Sequence, residues 1–268
     1  MQVQAYLERI NDEGDLAPTA ANLKRIHAAH LYTVPFENLD IHLGRKITLD
    51  KKRIYQKIVV NKRGGFCYEV NGLFGWLLQE LGYNVTLLSA RSIGAEGVLG
   101  IEYDHLMLLV KCPADLGELA DIPWLVDIGW GDNFHNPKRL DQIRIEQDDG
   151  LRKYKIEATD NQFYELSQQS YAGEWEKQYR FNLKAHAFED YTNGCHHQQT
   201  SPDSHFTQKR VCTIATPAGR KTLGEDKLIV TIDGEKQTRQ VRPEDRAEIL
   251  IDHFGIDLEL QVDDALLE

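Results

Sequence analysis

Long apolar runs are missing from this chain of 268 residues. No stretch approaches the roughly 18 residues that a membrane-spanning helix needs. The opening MQVQAYLERINDEGD lacks the basic-then-apolar pattern of a secretory signal, so a cytoplasmic location without membrane contact is expected. No CxxC pair occurs, which removes a zinc ribbon or a thioredoxin-like redox pair. The scattered cysteines 67, 112, 195 and 212 are expected to be reduced. Surplus positive charge is missing as well: 42 acidic residues outnumber 31 basic ones for a net charge of −11. Nucleic-acid phosphates would find no basic surface to neutralise them. Repeats and low-complexity tracts are absent too, and with 41% hydrophobic residues the chain can bury a sizeable core.

What is present changes period along the chain. TAANLKRIHAAHLY, behind Pro18 and Thr19, predicts a helix, with Leu23, Ile26, Ala29 and His30 on one face. PFENLDIHLG, between Pro35 and Gly44, predicts a loop. LDKKRIYQKIVVNKRGG predicts a second helix ended by Gly64 and Gly65. A third, amphipathic helix begins at Cys67, its stripe formed by Val70, Leu73, Phe74, Leu77, Leu78 and Leu81, and stops at Gly82. The middle third turns to short β-branched and aromatic segments: YNVTLLSARS, YDHLMLLVKC, WLVDIGWG, LRKYKIEAT and QFYELSQQS. Strands in succession without intervening helices imply a largely antiparallel sheet or barrel. NGCHHQQTSPDSHF predicts a polar connector, VCTIATP and KLIVTID two further strands, and RPEDRAEILIDHFG a closing helix with Pro243 in its first turn. The fold class is α+β.

Three residues could carry chemistry. Cys67 stands at a helix N-terminus, where unpaired N–H groups favour a thiolate and could also bind an oxyanion. Gly64 and Gly65 before it would allow a tight turn and close approach of a substrate. His105 alternates in phase with Met107 and Leu109 and so shares the inward face of its strand. Asp127 ends an apolar run, where a carboxylate needs a partner. Singly, each also fits a packing role. Together, their order of Cys, His and Asp is that of papain-like sites, although the spacing is too compact for a papain-type protease. The roles would be thiolate nucleophile, imidazole base and acid, and carboxylate orienter.

The stretches PTAANLKRIHAAHLYTVPFENLDIHLG, RGGFCYEVNGLFGWLLQELGY, DHLMLLV, WLVDIGWGDNF and TSPDSHF resemble those of the arylamine N-acetyltransferases, cytosolic acetyl-CoA-dependent enzymes, in the family's order. The resemblance implies an N-terminal helical bundle carrying the nucleophile (1–83), a central antiparallel β-barrel carrying His and Asp (84–188), and a helical interdomain segment leading to a C-terminal α/β lid (189–268). It implies ping-pong acetyl transfer from acetyl-CoA, as cosubstrate, through a thioester to arylamine, hydrazine or N-hydroxyarylamine acceptors, without a metal. The catalytic residues would be Cys67, His105 and Asp127, and the acceptor pocket would be lined by Phe36, Trp130 and Phe134. His197, Thr200, Ser201, Asp203 and Ser204, with Pro202 and Phe206, would border the CoA cleft. Two departures bear on the acceptor: Trp130 stands where many members carry Phe, and Asp132 adds a negative charge beside it.

Other functions are compatible with the same residues. A family member can be an amide synthase that closes a macrolactam, a cysteine hydrolase can use the same triad, and a binding module can keep the scaffold without the chemistry. Cys195, His196 and His197, with Cys212, fit no standard zinc spacing. His27 and His30 share a helix face without a third ligand. Arg63 is expected to favour the carbonyls at a helix end, and Glu69 and Asn71 to brace the turn from inside. Gly129 and Gly131 only loosely resemble a phosphate cradle.

Overall fold

The computed structural model describes residues 1–132, 134–159 and 162–259. Its centre is the helix Cys67–Glu80, in which every residue from Cys67 to Leu78 is buried. The sequence pattern predicts one apolar stripe; the structure surrounds the helix instead, as expected of a segment apolar on most sides. On one side lie the helices Val3–Arg9 and Ala20–Thr33, with Tyr6, Leu23 and Ile26 fully buried. On the other lie the strands Asn84–Ser92 and His105–Lys111. Two glycines let neighbours pack closely on this helix, since a Cβ on Gly75 would stand 3.3 Å from Leu108 Cδ2 of the strand and one on Gly72 would stand 2.4 Å from Phe188 Cε2 of the turn Phe188–Tyr191. Ala20–Thr33 starts where predicted, with Thr19 Oγ1 accepting a hydrogen bond from the Asn22 amide at 3.3 Å.

Eight strands form a nearly closed antiparallel barrel. Their spatial order is Lys138–Arg139, Trp124–Val126, His105–Lys111, Asn84–Ser92, Trp175–Phe181, Tyr164–Gln169, Lys153–Ala158 and Gln147–Asp148. Alternation divides the His105 strand as expected. Leu106, Leu108 and Val110 join the helix-side core, while Met107 joins Leu88, Leu125, Tyr154 and Tyr179 inside the barrel. Trp175–Phe181 lacks an apolar run in the sequence, because its exposed face carries Glu176 and Lys177.

A second antiparallel sheet runs Phe36–Glu37, Cys212–Thr216, Gly219–Leu223, Lys227–Ile232 and Glu235–Gln240. The helix Arg246–Phe254 covers it and ends on Gly255 in the left-handed region, with φ 65°. The first strand of this sheet comes from the predicted PFENLDIHLG loop, which instead gives Phe36–Glu37 and the short helix Leu39–His42. Its partner is far off in sequence, with Phe36 opposite Thr213, so no local signal marks it. The polar connector also folds, as the helices Thr192–Thr200 and His205–Gln208. The predicted second helix is α-helical only over Lys51–Tyr55 and continues as a π-helical turn over Gln56–Val60. It ends before Gly64 and Gly65, with Lys62 in the left-handed region at φ 52°.

Candidate active site

Cys67 is the first residue of its helix and is only 3% exposed. Burial pushes the thiol well above its ordinary range; a backbone hydrogen bond from Leu106 opposes this, while Asp104, Cys195 and Asp127 add to the rise. The surroundings thus favour the thiol form of the sulfur over the thiolate. The helix above it is anchored to the strand that begins at His105, because the Tyr68 hydroxyl donates to the carbonyls of Tyr103 at 2.7 Å and Asp104 at 3.0 Å.

His105, the first residue of its strand, lies next in chain to the Leu106 amide that reaches Cys67. Its Nε2 is 2.9 Å from Asp127 Oδ2, and both side chains are buried. Asp127 follows the strand Trp124–Val126 and is fully buried. Burial alone would raise its carboxyl, but His105, Asn71 and the Gly129 amide hold it below its usual value. Asn71 Nδ2 donates to Asp127 Oδ1 at 2.9 Å and to the Leu106 carbonyl at 2.7 Å, while its Oδ1 accepts from the Ile128 amide at 3.0 Å. Asn71 thus ties the Cys67 helix to both strands that carry His105 and Asp127. In His105, Nε2 is committed to Asp127, and Nδ1 is the ring's second polar atom.

Gly129 has a role that sequence alone does not reveal. A Cβ there would lie 2.8 Å from Cys67 Cα and 2.6 Å from Asn71 Nδ2. This glycine is a close-contact position against the nucleophile helix rather than a phosphate cradle. Gly64 and Gly65 also differ from expectation. A Cβ on Gly64 would meet the Pro35 carbonyl oxygen at 1.9 Å, and one on Gly65 would meet Glu69 Oε2 at 2.8 Å. Their space belongs to the chain itself, since the Glu37 amide donates to the Gly65 carbonyl at 3.0 Å. PFEN and RGGFC are each other's packing partners.

Behind that contact lies a buried ionic cluster. Arg63 donates to Glu37 Oε1 from Nε at 3.0 Å and from Nη2 at 2.8 Å, and to Asp40 Oδ1 at 2.9 Å. Arg63 is therefore a partner for two carboxylates rather than for helix-end carbonyls. Glu69 Oε2 accepts from the Phe66 amide at 3.1 Å, capping the Cys67 helix, and its Oε1 lies 2.8 Å from Lys57 Nζ.

Of the expected pocket residues, Trp130 lines a cleft of about 610 Å³ between the barrel and the second sheet, together with Asp132, Arg152, Gln178, Arg220 and Lys236. Its ring meets His105 edge-on at 4.8 Å, and its Nε1 donates to Gln178 Oε1 at 3.1 Å. Phe36 packs on Phe206 at 6.0 Å beside Gly131. Phe134 is fully buried in the barrel, stacked on His27 at 5.8 Å and edge-on to Tyr154. The negative charge of Asp132 is offset by ion pairs to Arg152 and Arg220, the latter reaching over from the second sheet at 3.1 Å.

The expected CoA-cleft residues lie on the connector. His197 is half-buried, while Thr200 and Asp203 are exposed. Thr200 Oγ1 donates to the His196 carbonyl at 2.7 Å, and Ser201 Oγ accepts from the Asp203 amide at 3.2 Å. Ser204 is buried, and its hydroxyl donates to Gln198 Oε1 at 2.6 Å. Gln198 in turn bonds Asp104, so the connector is linked to the residue before His105. Cys195 and Cys212 belong to separate cores, and among the described residues no group of three His, Cys, Asp or Glu side chains is arranged for a metal.

A family model described as N-acetyltransferase matches residues 19–262. The arylamine N-acetyltransferase of Mycolicibacterium smegmatis is 33% identical over 96% of this chain and 93% of its own. The arylamine N-acetyltransferase / N-hydroxyarylamine O-acetyltransferase of Salmonella typhimurium is 30% identical over 82% and 75%. The structure of Mycobacterium marinum arylamine N-acetyltransferase in complex with CoA superposes with a TM-score of 0.86 at 29% identity, covering 95% of this chain and 93% of that one. With its helical core, barrel and buried Cys–His–Asp grouping, the chain belongs to the arylamine N-acetyltransferase family.

Proposed function

We propose that this protein transfers acetyl groups from acetyl-CoA to arylamines, hydrazines or N-hydroxyarylamines by a ping-pong route through Cys67. The observation that carries the reading is the hydrogen-bonded chain from Asn71 through Asp127 to His105, whose chain neighbour Leu106 hydrogen-bonds Cys67 at a helix N-terminus. The CoA complex of the M. marinum relative and the naming of the S. typhimurium relative support donor and acceptor classes.

His105 Nδ1 takes the Cys67 proton, and the resulting imidazolium is stabilised by Asp127. The sulfur attacks the acetyl carbonyl carbon. As the new C–S bond forms and the C–S bond to CoA breaks, His105 returns the proton to the departing CoA sulfur. In the second half, the acceptor nitrogen, or the oxygen of an N-hydroxyarylamine, attacks the thioester. His105 removes its proton, and the Cys67 thiolate leaves to be reprotonated. Amides at the helix start stabilise the oxyanion in each half. Trp130, whose ring meets His105 edge-on, lines the cleft assigned to the acceptor; Cys67 and His105 themselves are not among its lining residues. The cleft, at about 610 Å³, is of a size ordinary for small-molecule sites.

Incubation with acetyl-CoA alone is expected to give a single acetyl adduct on Cys67 by intact mass and peptide mapping. An arylamine should then discharge it with stoichiometric product. Folded protein that forms no adduct and releases no CoA would overturn the proposal, and donor turnover without amine would mark a hydrolase.

A further inference from the structure

Three carboxylates and two cations share the buried space behind the Cys67 loop. Glu37 and Asp40 come from the Phe36–Glu37 strand and the helix after it, Glu69 from the Cys67 helix, Lys57 from the π turn and Arg63 from the loop. Arg63 serves Glu37 and Asp40 only. Lys57 spans the whole set, with Nζ at 2.7 Å from Asp40, 2.8 Å from Glu69 and 3.8 Å from Glu37. Its side chain is 13% exposed. It is the cation that bridges Glu69 to the other two carboxylates.

The backbone that holds Lys57 is unusual. π-helical turns are rare and concentrate at functional sites. Within the turn Ile58 and Val59 are buried, while the Lys57 side chain reaches the carboxylates. Arg9 fixes it from below, donating to the Ile58 carbonyl at 3.0 Å.

We infer that Lys57 is a positioning residue for the nucleophile: its ammonium, against the Glu69 carboxyl, favours that group's charged form, and Glu69 grips the Phe66 amide that sets the start of the Cys67 helix. This rests on Cys67 as the nucleophile. The space left by Gly65 admits the gripping carboxylate oxygen. A charged acceptor makes the stronger hydrogen bond to an amide. Burial raises the Glu69 carboxyl to about 7, Asp40 and Glu37 adding to it and Lys57 opposing it. Lys57, Asp40, Glu37, Arg63 and, from the connector, Cys195 are the titratable or charged groups around it. Asp104, Asp127 and Cys195 act on the thiol, and His105 pairs with Asp127.

The test uses the full chain and a probe independent of CoA: alkylation of Cys67 by iodoacetamide, mapped by peptide mass, between pH 6 and 9. Lys57→Met is expected to slow alkylation about tenfold at pH 7 and to shift the profile upward by about 1 unit or more. Lys57→Arg should restore most of the rate. Adding Glu69→Gln to Lys57→Met should abolish the shift. A wild-type profile in Lys57→Met, or a loss equal at every pH and not rescued by arginine, overturns the inference. Should Lys57→Met fail to fold, Glu69→Gln alone decides: flattening of the profile around pH 7 supports the role, and an unchanged profile overturns it. Lys57-dependent alkylation without any adduct from acetyl-CoA would refute the acetyl-transfer proposal while leaving the positioning role intact.

Discussion

Asp127 and Glu69 are both buried carboxylates within reach of the start of one helix, and they are pushed in opposite directions. Asp127 has His105, Asn71 and the Gly129 amide to itself, and it stays below the usual carboxylate range despite burial. Glu69 is equally buried but shares the Lys57 cation with Glu37 and Asp40, and it is raised to about 7. Burial penalises both charges; the number of partners per carboxylate decides the outcome. The result is a contrast across Cys67: a carboxyl held toward its charged form on the barrel side, and one pushed toward its neutral form on the bundle side.

The largest expected effect breaks the barrel side. Asp127→Asn keeps the shape but removes the anion that fixes the His105 tautomer and stabilises the imidazolium. Pre-steady-state acetylation of Cys67 should fall about 10³–10⁴-fold, by analogy with the same change in serine-protease triads. A loss below about tenfold would show that Asp127 is structural. Next comes Asn71→Ala, which strips three buried hydrogen bonds at once. Unfolding stability in urea should drop by about 3 kcal/mol. An unchanged midpoint would mean that water or a neighbour replaces the amide.

The barrel side was the more legible in sequence. Cys67, His105 and Asp127 announce themselves by residue type, by period-2 alternation and by an acid at the end of an apolar run. The bracing by Asn71 follows from its place one turn after Cys67. The bundle side was nearly silent. Lys57 sits in KKRIYQKIVV as one of several basic residues, and only a π turn and three long-range contacts make it special. Phe36–Glu37 looked like a loop because its strand partner is Cys212–Thr216. Gly64 and Gly65 looked like room for substrate because nothing local tells that Pro35 and Glu69 already fill it. Long-range pairings and buried charge-sharing leave no periodicity to read.

Glu69 also gives the comparison a pH signature, and its sign can be worked out. Its folded carboxyl lies near 7, above the ordinary value of 4.5. Between these values the folded chain keeps a proton that the unfolded chain has released, so stability falls as pH rises from about 5 to about 7. Asp127 and Asp40 act oppositely and lower down: their depressed carboxyls add stability above their ordinary value of 3.8, lost as pH falls through the folded one. Urea unfolding at pH 5 and at pH 7.5 should therefore differ by about 2–3 kcal/mol from this group alone, the full shift being an upper bound. Glu69→Gln, which carries no titrating proton, should remove that difference. A slope that survives in Glu69→Gln would assign the titration to another group.

The smallest expected effect supplies the missing corner of the comparison, partners without burial. Asp141 is held by Arg139 through two hydrogen bonds, at 2.9 Å and 2.6 Å, but both side chains are about one-third exposed. That hydrogen bonding lowers the Asp141 carboxyl, as at Asp127. Water nevertheless screens the pair, and side-chain ordering consumes much of what the contact contributes. Asp141→Asn should therefore change stability by less than about 1 kcal/mol, and even that difference should shrink in high salt. Cys67 alkylation should be untouched, since the Asp141 ion pair with Arg139 involves none of the site residues. If Asp141→Asn instead cost as much as Asn71→Ala, partner geometry alone would govern these carboxylates. Burial would then lose its place in explaining why Asp127 and Glu69 diverge.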